Sequence, residues 1–263
     1  RDEDKELRAQ SAREKISRIS IQEKIFSPEL IIPFASFIYF CKEENYYLND
    51  EQNFPKNLRN SSELKNIQKK INFMKPNQEV SLDESFLENV RLYTSEAERY
   101  WDAFENKIKN SLTIDKHKVE ESVPESKLIE LASNYFSKVR NNTFGLINLF
   151  EIIKVLDLKP IKFHIHDLNI NLSLSYLKGI KKCDSKNVLL SIHSSELAFI
   201  LKNDFGWNTL FVSGAFKANH FEINSIHSFF RWQDAIKNGF SFKHPLHAFK
   251  VVTNFLYRKL FSF

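Results

Sequence analysis

The segment LIIPFASFIYFCKEENYYLND, residues 30–50, sets an apolar run directly against a charged one. The apolar part is rich in β-branched and aromatic residues and predicts a buried strand from Leu30, with Pro33 early enough to lie at a strand edge. It is shorter than the run of about 17 apolar residues that a membrane span needs. In α/β folds such an abrupt exit from the core marks the carboxyl edge of a sheet, where ligands usually bind. The alternative is a strand that simply leaves the core into a solvated loop.

The flanking sequence predicts an αβ unit around this segment. Residues 1–26 are typical of a charged amphipathic helix, which should end at 26–28 because Pro28 disfavours helical geometry in the residue before it. A further helix is predicted at 61–71, followed by a strand that a turn at 76–77 interrupts. A first domain is therefore predicted at 1–83.

The rest of the chain predicts a helical connector and a second domain. Residues 84–125 give a helix with a thick aromatic face, more typical of packing than of a ligand platform, and then a polar linker. For the second domain, 126–263, the pattern changes from helix to strand and back. It predicts helices at 126–139 and 146–156, strands at 162–176 (with a bulge near Asp167), 187–193 and 209–216, a helix that Ser194 caps, and a last helix from Pro245.

Composition and charge exclude several classes of protein. The 263 residues include 42% hydrophobic residues, 25 Phe and only 5 Gly, which is typical of packed globular structure. The net charge of +5 comes from Lys spread along the chain, without a dense basic block. A solvated Lys surface therefore explains the charge better than nucleic-acid binding does, and no transmembrane segment is expected.

The two cysteines indicate the cellular compartment, and the first residue indicates whether the sequence is a fragment. Cys41 and Cys183 are far apart and form neither a disulfide framework nor a metal-binding pattern, which favours a reducing cytoplasm. The chain starts at Arg1 and already lies in a predicted helix, so we expect it to be an excerpt or a mature fragment.

The run PFASFIYFCKEENYYLND resembles a segment near the end of the metallo-β-lactamase fold, in the lactonase-like branch that includes CMP-N-acetylneuraminate hydroxylase. In that branch a PFA-type strand leads into a short lid with a His beside acidic residues and Asn. The resemblance implies a substrate-facing lid made by Lys42, Glu43, Glu44, Asn45 and Tyr46. Lys42 takes the place of the His, and an ammonium is a poor general base at neutral pH but a good partner for an anion.

A second resemblance covers the predicted strand, strand, helix, strand succession at 160–235, and its most recognisable portion is SSELAFILKNDFGWNTLFVSGAF, residues 194–216. It is similar to the sterol-carrier-protein-like domain that follows the lactamase-type domain in these relatives. Together the two resemblances imply an α/β and α+β protein: the C-terminal edge of a metallo-β-lactamase αββα sandwich and a smaller sterol-carrier-like α/β domain.

Histidines give weak signals for a metal site. His164, His166 and Asp167 approach the metallo-β-lactamase signature HxHxDH, but the Asp is one place early and Leu168 replaces the last His. Structural or surface roles are favoured for them, and for the four other candidate histidines, which are His220, His227, His244 and His247. No GxSxG, phosphate-binding Gly loop or CxxC is present. We therefore predict no catalytic residue and no metal ligand in this chain.

These observations lead to one main hypothesis and two alternatives. The resemblance implies the C-terminal portion of a cytoplasmic metal-dependent hydrolase, with a zinc or iron site upstream, a small anionic or sugar-like substrate, and a lid and accessory domain from this chain. A metal would lower the pKa of its bound water towards about 7. The alternatives are a non-catalytic module that binds a lipid or another apolar ligand, and a homo-oligomerisation or other interaction module.

Overall fold

The computed structural model divides the chain into two compact units, Arg1–Lys118 and Val119–Phe263. Each unit has its own buried core and is described separately. Side chains are described except at 111–115. The structure describes residues 4–34, 37–42, 44–115, 120–154, 158–184, 187–218, 223–242, 244, 246, 249, 250 and 253.

The first unit is mainly helical. Helix α1 ends where the sequence predicts: Ser27 adopts left-handed geometry (φ 45°) and its N–H bonds to the carbonyl oxygen of Glu23 at 2.8 Å. The helices of this unit are α1 (Lys5–Phe26), a 3₁₀ helix (Tyr46–Glu51), α2 (Pro55–Arg59), a second 3₁₀ helix (Ser62–Lys70) and α3 (Phe86–Asp115).

The predicted buried strand from Leu30 is wrong. In the described part of 30–40 only Ile31 pairs, in a single parallel bridge with Ile71. The Ile31 N–H donates to the Lys70 carbonyl at 2.8 Å, and the Asn72 N–H donates to the Ile31 carbonyl at 2.9 Å. Phe34, three residues on, is 82% exposed. The apolar run has strand composition, but a strand also needs a continuous hydrogen-bonding partner, which the described residues do not supply here.

Helix α3 completes the core of the first unit. Ala97 is fully buried in that core, and Trp101 and Phe104 pack against it. The Trp101 indole N–H donates to the carbonyl of Met74 at 3.0 Å. Residues 84–125, considered above as a connector and linker, are thus divided between the two units.

The second unit contains one mixed five-stranded sheet with order β3-β2-β1-β4-β5. The strands are β1 (Ile161–Ile165), β2 (Ile170–Ser175), β3 (Gly179–Lys182), β4 (Leu190–Ile192) and β5 (Lys217–Ala218). Strands β1 and β4 pair in parallel, and the other neighbours pair antiparallel. The helices of this unit are α4 (Glu125–Asn142), α5 (Leu146–Ile152), α6 (Ser194–Lys202), α7 (Gly206–Ser213) and α8 (Ile223–Lys237).

Two predicted strands of the second unit are corrected. The single bulged strand at 162–176 is a hairpin, because 166–169 form a turn in which Asn169 adopts φ 50°. The strand at 209–216 is largely helix α7, which ends at Gly214 in left-handed geometry. A short apolar run does not distinguish a strand from a buried helix, and only the tertiary packing decided between them.

Aromatic rings fill the core of the second unit. Tyr176 stacks on Phe229 at 4.5 Å between centroids, and Phe136 contacts both rings edge-on. The Tyr176 hydroxyl donates to the Phe229 carbonyl at 2.6 Å. The helices and the mixed sheet agree with the predicted α+β class. Most of the predicted C-terminal helix lies outside the described residues, and no described helix is both long and apolar enough to span a bilayer.

Candidate functional site

The predicted lid forms a tight turn before the first 3₁₀ helix. The Lys42 N–H donates to the Asn45 side-chain oxygen at 3.0 Å, and Asn45 itself is only 4% exposed. The structure therefore places Asn45 inside the turn, where it fixes the backbone beneath Lys42.

Asn49 fastens this turn to the apolar run before it. Its side-chain oxygen accepts from the Phe40 N–H at 2.7 Å, and its amide donates to the carbonyls of Phe40 (2.7 Å) and Tyr46 (2.9 Å). The Asn49 side chain thus links the backbone at Phe40 to the backbone at Tyr46. The sequence analysis did not single out Asn49, because Asn is common in any polar turn.

Lys42, Glu44 and Tyr46 are the predicted lid residues that reach the surface. Lys42 and Glu44 are half-buried, Tyr46 is 44% exposed, and Glu43 lies outside the described residues. The Tyr46 hydroxyl lies 3.3 Å from the Tyr39 hydroxyl. Within five residues the turn carries an ammonium, a carboxylate and a phenol, on Lys42, Glu44 and Tyr46.

Two neighbouring groups stay protonated at neutral pH. Burial, followed by the hydrogen bond with Tyr46, raises the pKa of Tyr39 above its ordinary value. Burial also raises the pKa of the Cys41 thiol. A protonated thiol is a weak nucleophile, so the turn is suited to binding more than to nucleophilic attack.

The residues of the near-signature HIHD are engaged in structural contacts. His164 Nδ1 lies 2.9 Å from the Asn171 side-chain oxygen across the β1–β2 hairpin. Asp167 accepts from the Ser194 N–H at 2.8 Å and from the Ser194 hydroxyl at 2.6 Å. Although burial opposes its ionisation, hydrogen bonds from Ser194 and Ser122 lower the pKa of Asp167. Among the described residues no group of three or more His, Cys, Asp or Glu is arranged to hold a metal ion.

A polar cluster that the sequence analysis missed surrounds the start of α6. His193, rather than the predicted Ser194, caps the helix: its Nδ1 accepts from the Ser195 N–H at 3.2 Å. Its Nε2 lies 3.5 Å from Asp167, and the Ser195 hydroxyl donates to Glu120 at 3.0 Å.

These contacts cap the start of α6 and connect it to Asp167 and Glu120. The Ser195 hydroxyl oxygen lies 2.8 Å from His193 Nδ1 and 3.0 Å from the Glu120 carboxylate, so one hydroxyl joins the ring and the carboxylate at the start of α6. The motif HSSE signals a helix start, but Glu120 lies 75 residues before Ser195 and no local pattern links them.

Comparison of the chain with models of protein families, with curated proteins and with solved structures gives no match.

Proposed function

We propose that this chain is a C-terminal portion of a metal-dependent hydrolase of the metallo-β-lactamase superfamily. In this proposal residues 42–46 form a lid over a small anionic or sugar-like substrate, and the second unit is a sterol-carrier-like accessory domain. It rests on the sequence resemblances at 33–50 and 194–216, although among the described residues the strands expected from Leu30 and at 209–216 are not formed. The observation that carries it is the lid turn, which Asn45 and Asn49 fix before any ligand arrives. A fixed turn binds a ligand without first losing conformational entropy.

The extended segment before the lid is consistent with this proposal. Its bridge from Ile31 to Ile71 is parallel, while Phe34 and Ile38 are 82% and 43% exposed. Exposed apolar side chains such as these are typical of a surface that packs against further structure. In the parent fold that structure would be the remainder of the sandwich.

The parent family binds a metal, but the described residues contain no group of three or more His, Cys, Asp or Glu that could hold one. As the resemblance implies, the proposal assigns the zinc or iron ligands to another part of the parent protein and substrate-binding groups to this chain. Lys42 would pair with an anionic group of the substrate, and the Tyr46 hydroxyl would donate to or accept from a neighbouring oxygen.

Metal analysis of the full-length natural protein tests the proposal. We expect about one or two equivalents of zinc, iron or manganese per chain, measured by mass spectrometry after removal of loosely bound metal. A metal-free protein that is nevertheless folded would contradict the hydrolase proposal.

Lys42→Ala tests the lid in the same protein. For anionic ester or lactone substrates KM should rise about tenfold, which corresponds to about 1.4 kcal/mol, while neutral analogues should be unaffected. Lys65→Ala, at an exposed position of the second 3₁₀ helix, removes the same charge and should leave both KM values unchanged. Equal effects of Lys42→Ala on anionic and neutral substrates would contradict the lid.

One observation favours oligomerisation as a second candidate function. Helix α5 buries Ile147 and Glu151, whereas its other face exposes Leu146 (39%), Leu149 (47%) and Ile152 (59%). Because the only charged side chain of α5 is turned inward, the exposed face is apolar, as the centre of a homodimer interface is. We infer that a second copy of this chain covers this face.

Light scattering on the intact chain tests the oligomer. The wild type should be a dimer, Leu149→Glu should be a monomer, and Leu92→Glu, at a 67% exposed position of the first unit, should remain a dimer. A wild type that stays monomeric at about 100 μM would exclude a stable dimer.

The lipid-binding alternative has less support, because aromatic rings occupy the described core of the second unit.

A further inference from the structure

A pocket of about 300 Å³ that is lined mainly by polar residues lies between α7 and α8 in the second unit. Helix α8 buries Ile226, Phe229 and Phe230 on one side. Its other side lines the pocket with residues spaced three or four apart, as one helical face requires. They are Asn224, His227, Ser228, Arg231 and Asp234, and the first turn of α7 adds Trp207 and Asn208. The volume lies at the lower end of the range of small-molecule sites.

Trp207 fixes the chemical form of His227. The indole N–H donates to His227 Nδ1 at 2.8 Å, so Nδ1 must be an unprotonated acceptor. Burial lowers the pKa of His227, which keeps the ring neutral at pH 7. The proton of the neutral ring therefore lies on Nε2, and His227 has an N–H donor left for a ligand.

Arg231 places a permanent positive charge one helical turn from His227. Its guanidinium lies 5.8 Å from the Trp232 ring centroid, a cation–π contact that helps to orient it. Arg231 and His227 contribute N–H donors to the pocket and Ser228 contributes a hydroxyl. A fixed cation flanked by neutral donors is the usual arrangement for a carboxylate or phosphate oxygen.

Asp234 adds an acceptor to the pocket lining. Asn208 donates its side-chain N–H to Asp234, and this hydrogen bond joins the first turn of α7 to α8. Burial raises the pKa of Asp234 above its ordinary value. An acidic side chain three residues beyond Arg231 suits a ligand that carries a hydroxyl or amine as well as its negative charge.

We propose that this pocket binds a small organic oxyanion, a phosphate monoester or a carboxylate, that also carries a hydroxyl group. Arg231, Ser228 and the His227 Nε2–H bind the oxyanion, and Asp234 accepts from the hydroxyl. This binding site is independent of the lid and of the hydrolase proposal, because all of its residues belong to the second unit.

Calorimetry on the full chain tests the site with three probes: inorganic phosphate, glycerol 3-phosphate and glycolate. At least one should bind saturably with a dissociation constant below about 1 mM, which corresponds to about −4 kcal/mol. Tighter binding of the two phosphates identifies a phosphate site, and tighter binding of glycolate identifies a hydroxycarboxylate site. Absence of saturable binding by all three probes overturns the proposal.

Paired variants distinguish binding in the pocket from nonspecific attraction of an anion to the positively charged protein. Arg231→Gln should weaken binding at least tenfold, whereas Lys202→Gln, at an exposed position of α6, should change it less than twofold. Asn224→Asp is a second test that does not disturb the core, because Asn224 is exposed at the pocket. It should also weaken binding about tenfold through charge repulsion, while Asn238→Asp, exposed just beyond α8, should not. Equal losses in a variant and its matched control would overturn the site.

Discussion

Glu151 is a carboxylate buried at the end of α5, with only 6% of its surface exposed. It accepts hydrogen bonds from the Ser175 hydroxyl, from the Tyr176 N–H at 2.6 Å and from the Leu177 N–H at 3.4 Å. These donors belong to the turn between β2 and β3, so one side chain joins α5 to the sheet. A buried carboxylate is tolerated when several donors compensate its charge.

We predict that Glu151→Ala destabilises the protein by about 2–3 kcal/mol, because it leaves buried donors without an acceptor. Urea unfolding measures this loss. Glu130→Ala is the matched control: its carboxylate pairs with Lys127 on the surface of α4, where an exposed ion pair contributes under about 1 kcal/mol. A loss below about 0.5 kcal/mol for Glu151→Ala would show that water satisfies the turn instead.

Asp204 connects three side chains and makes stability depend on pH. It accepts from Lys138 at 2.9 Å, from Lys237 at 3.0 Å and from Gln233 at 3.3 Å. The hydrogen bonds from Lys138 and then from Lys237 lower the pKa of Asp204 well below its ordinary value. A lowered pKa in the folded state gives stability that is present above the unfolded pKa of about 3.9 and is lost as the pH falls through the folded value.

Asp204→Asn should therefore cost more stability at pH 7 than at pH 2. The side chain is 30% exposed and solvent screens its ion pairs, so we expect a difference of about 1 kcal/mol or less. Urea unfolding of both proteins at the two pH values measures it, and 1 M NaCl should reduce the difference at pH 7. A larger cost at pH 2 would contradict the assigned direction of the shift.

Gly206, the first residue of α7, lies directly against the backbone of α6. A Cβ atom on this residue would lie 2.7 Å from the Ile200 Cα and 2.9 Å from the Ile200 carbonyl oxygen. These are backbone atoms, so they have no flexible side chain to move aside. The reason for glycine here is steric, because Gly206 is not among the glycines with positive φ.

Gly206→Ala should cost about 2–3 kcal/mol, since the two helices must separate to admit the methyl group. Gly239→Ala is a comparison that isolates backbone conformation. Gly239 has φ 83° and open space around its Cβ position, and its substitution should cost about 1 kcal/mol. Thermal and urea unfolding of the two variants shows which substitution causes the larger loss of stability. A smaller loss for Gly206→Ala than for Gly239→Ala would mean that the helices separate easily.

The sequence predicted those elements whose signals are local. The end of α1 before Pro28, the left-handed Asn77 in the predicted turn (φ 61°) and helix α4 were all predicted correctly. The strand from Leu30 and the strand at 209–216 were wrong, because each depended on which other segment packs beside an apolar run. Whether the lid residues bind a substrate stays a prediction. The contribution of Asn49 to the lid turn and that of Glu120 to the α6 cap depend on contacts across the fold.

At the scale of the whole molecule, the second unit has the features of an independent folding unit. Its sheet is built wholly from its own strands, and its core connects that sheet with α4, α6, α7 and α8. A domain of roughly 150 residues buries about 70% of the surface that its unfolded chain exposes, which is enough for a stable fold without a metal or disulfide.

We therefore predict that residues 119–263, expressed alone, fold cooperatively. Urea unfolding followed by far-UV and near-UV circular dichroism should give coincident transitions, because the packed aromatic rings and the sheet belong to one core. Glu151→Ala, introduced into this shorter chain, should lower its stability by the same amount as in the full chain, since its partners all lie in the second unit. A compact product with secondary structure but no near-UV signal would show that the second unit needs the first to order its aromatic core.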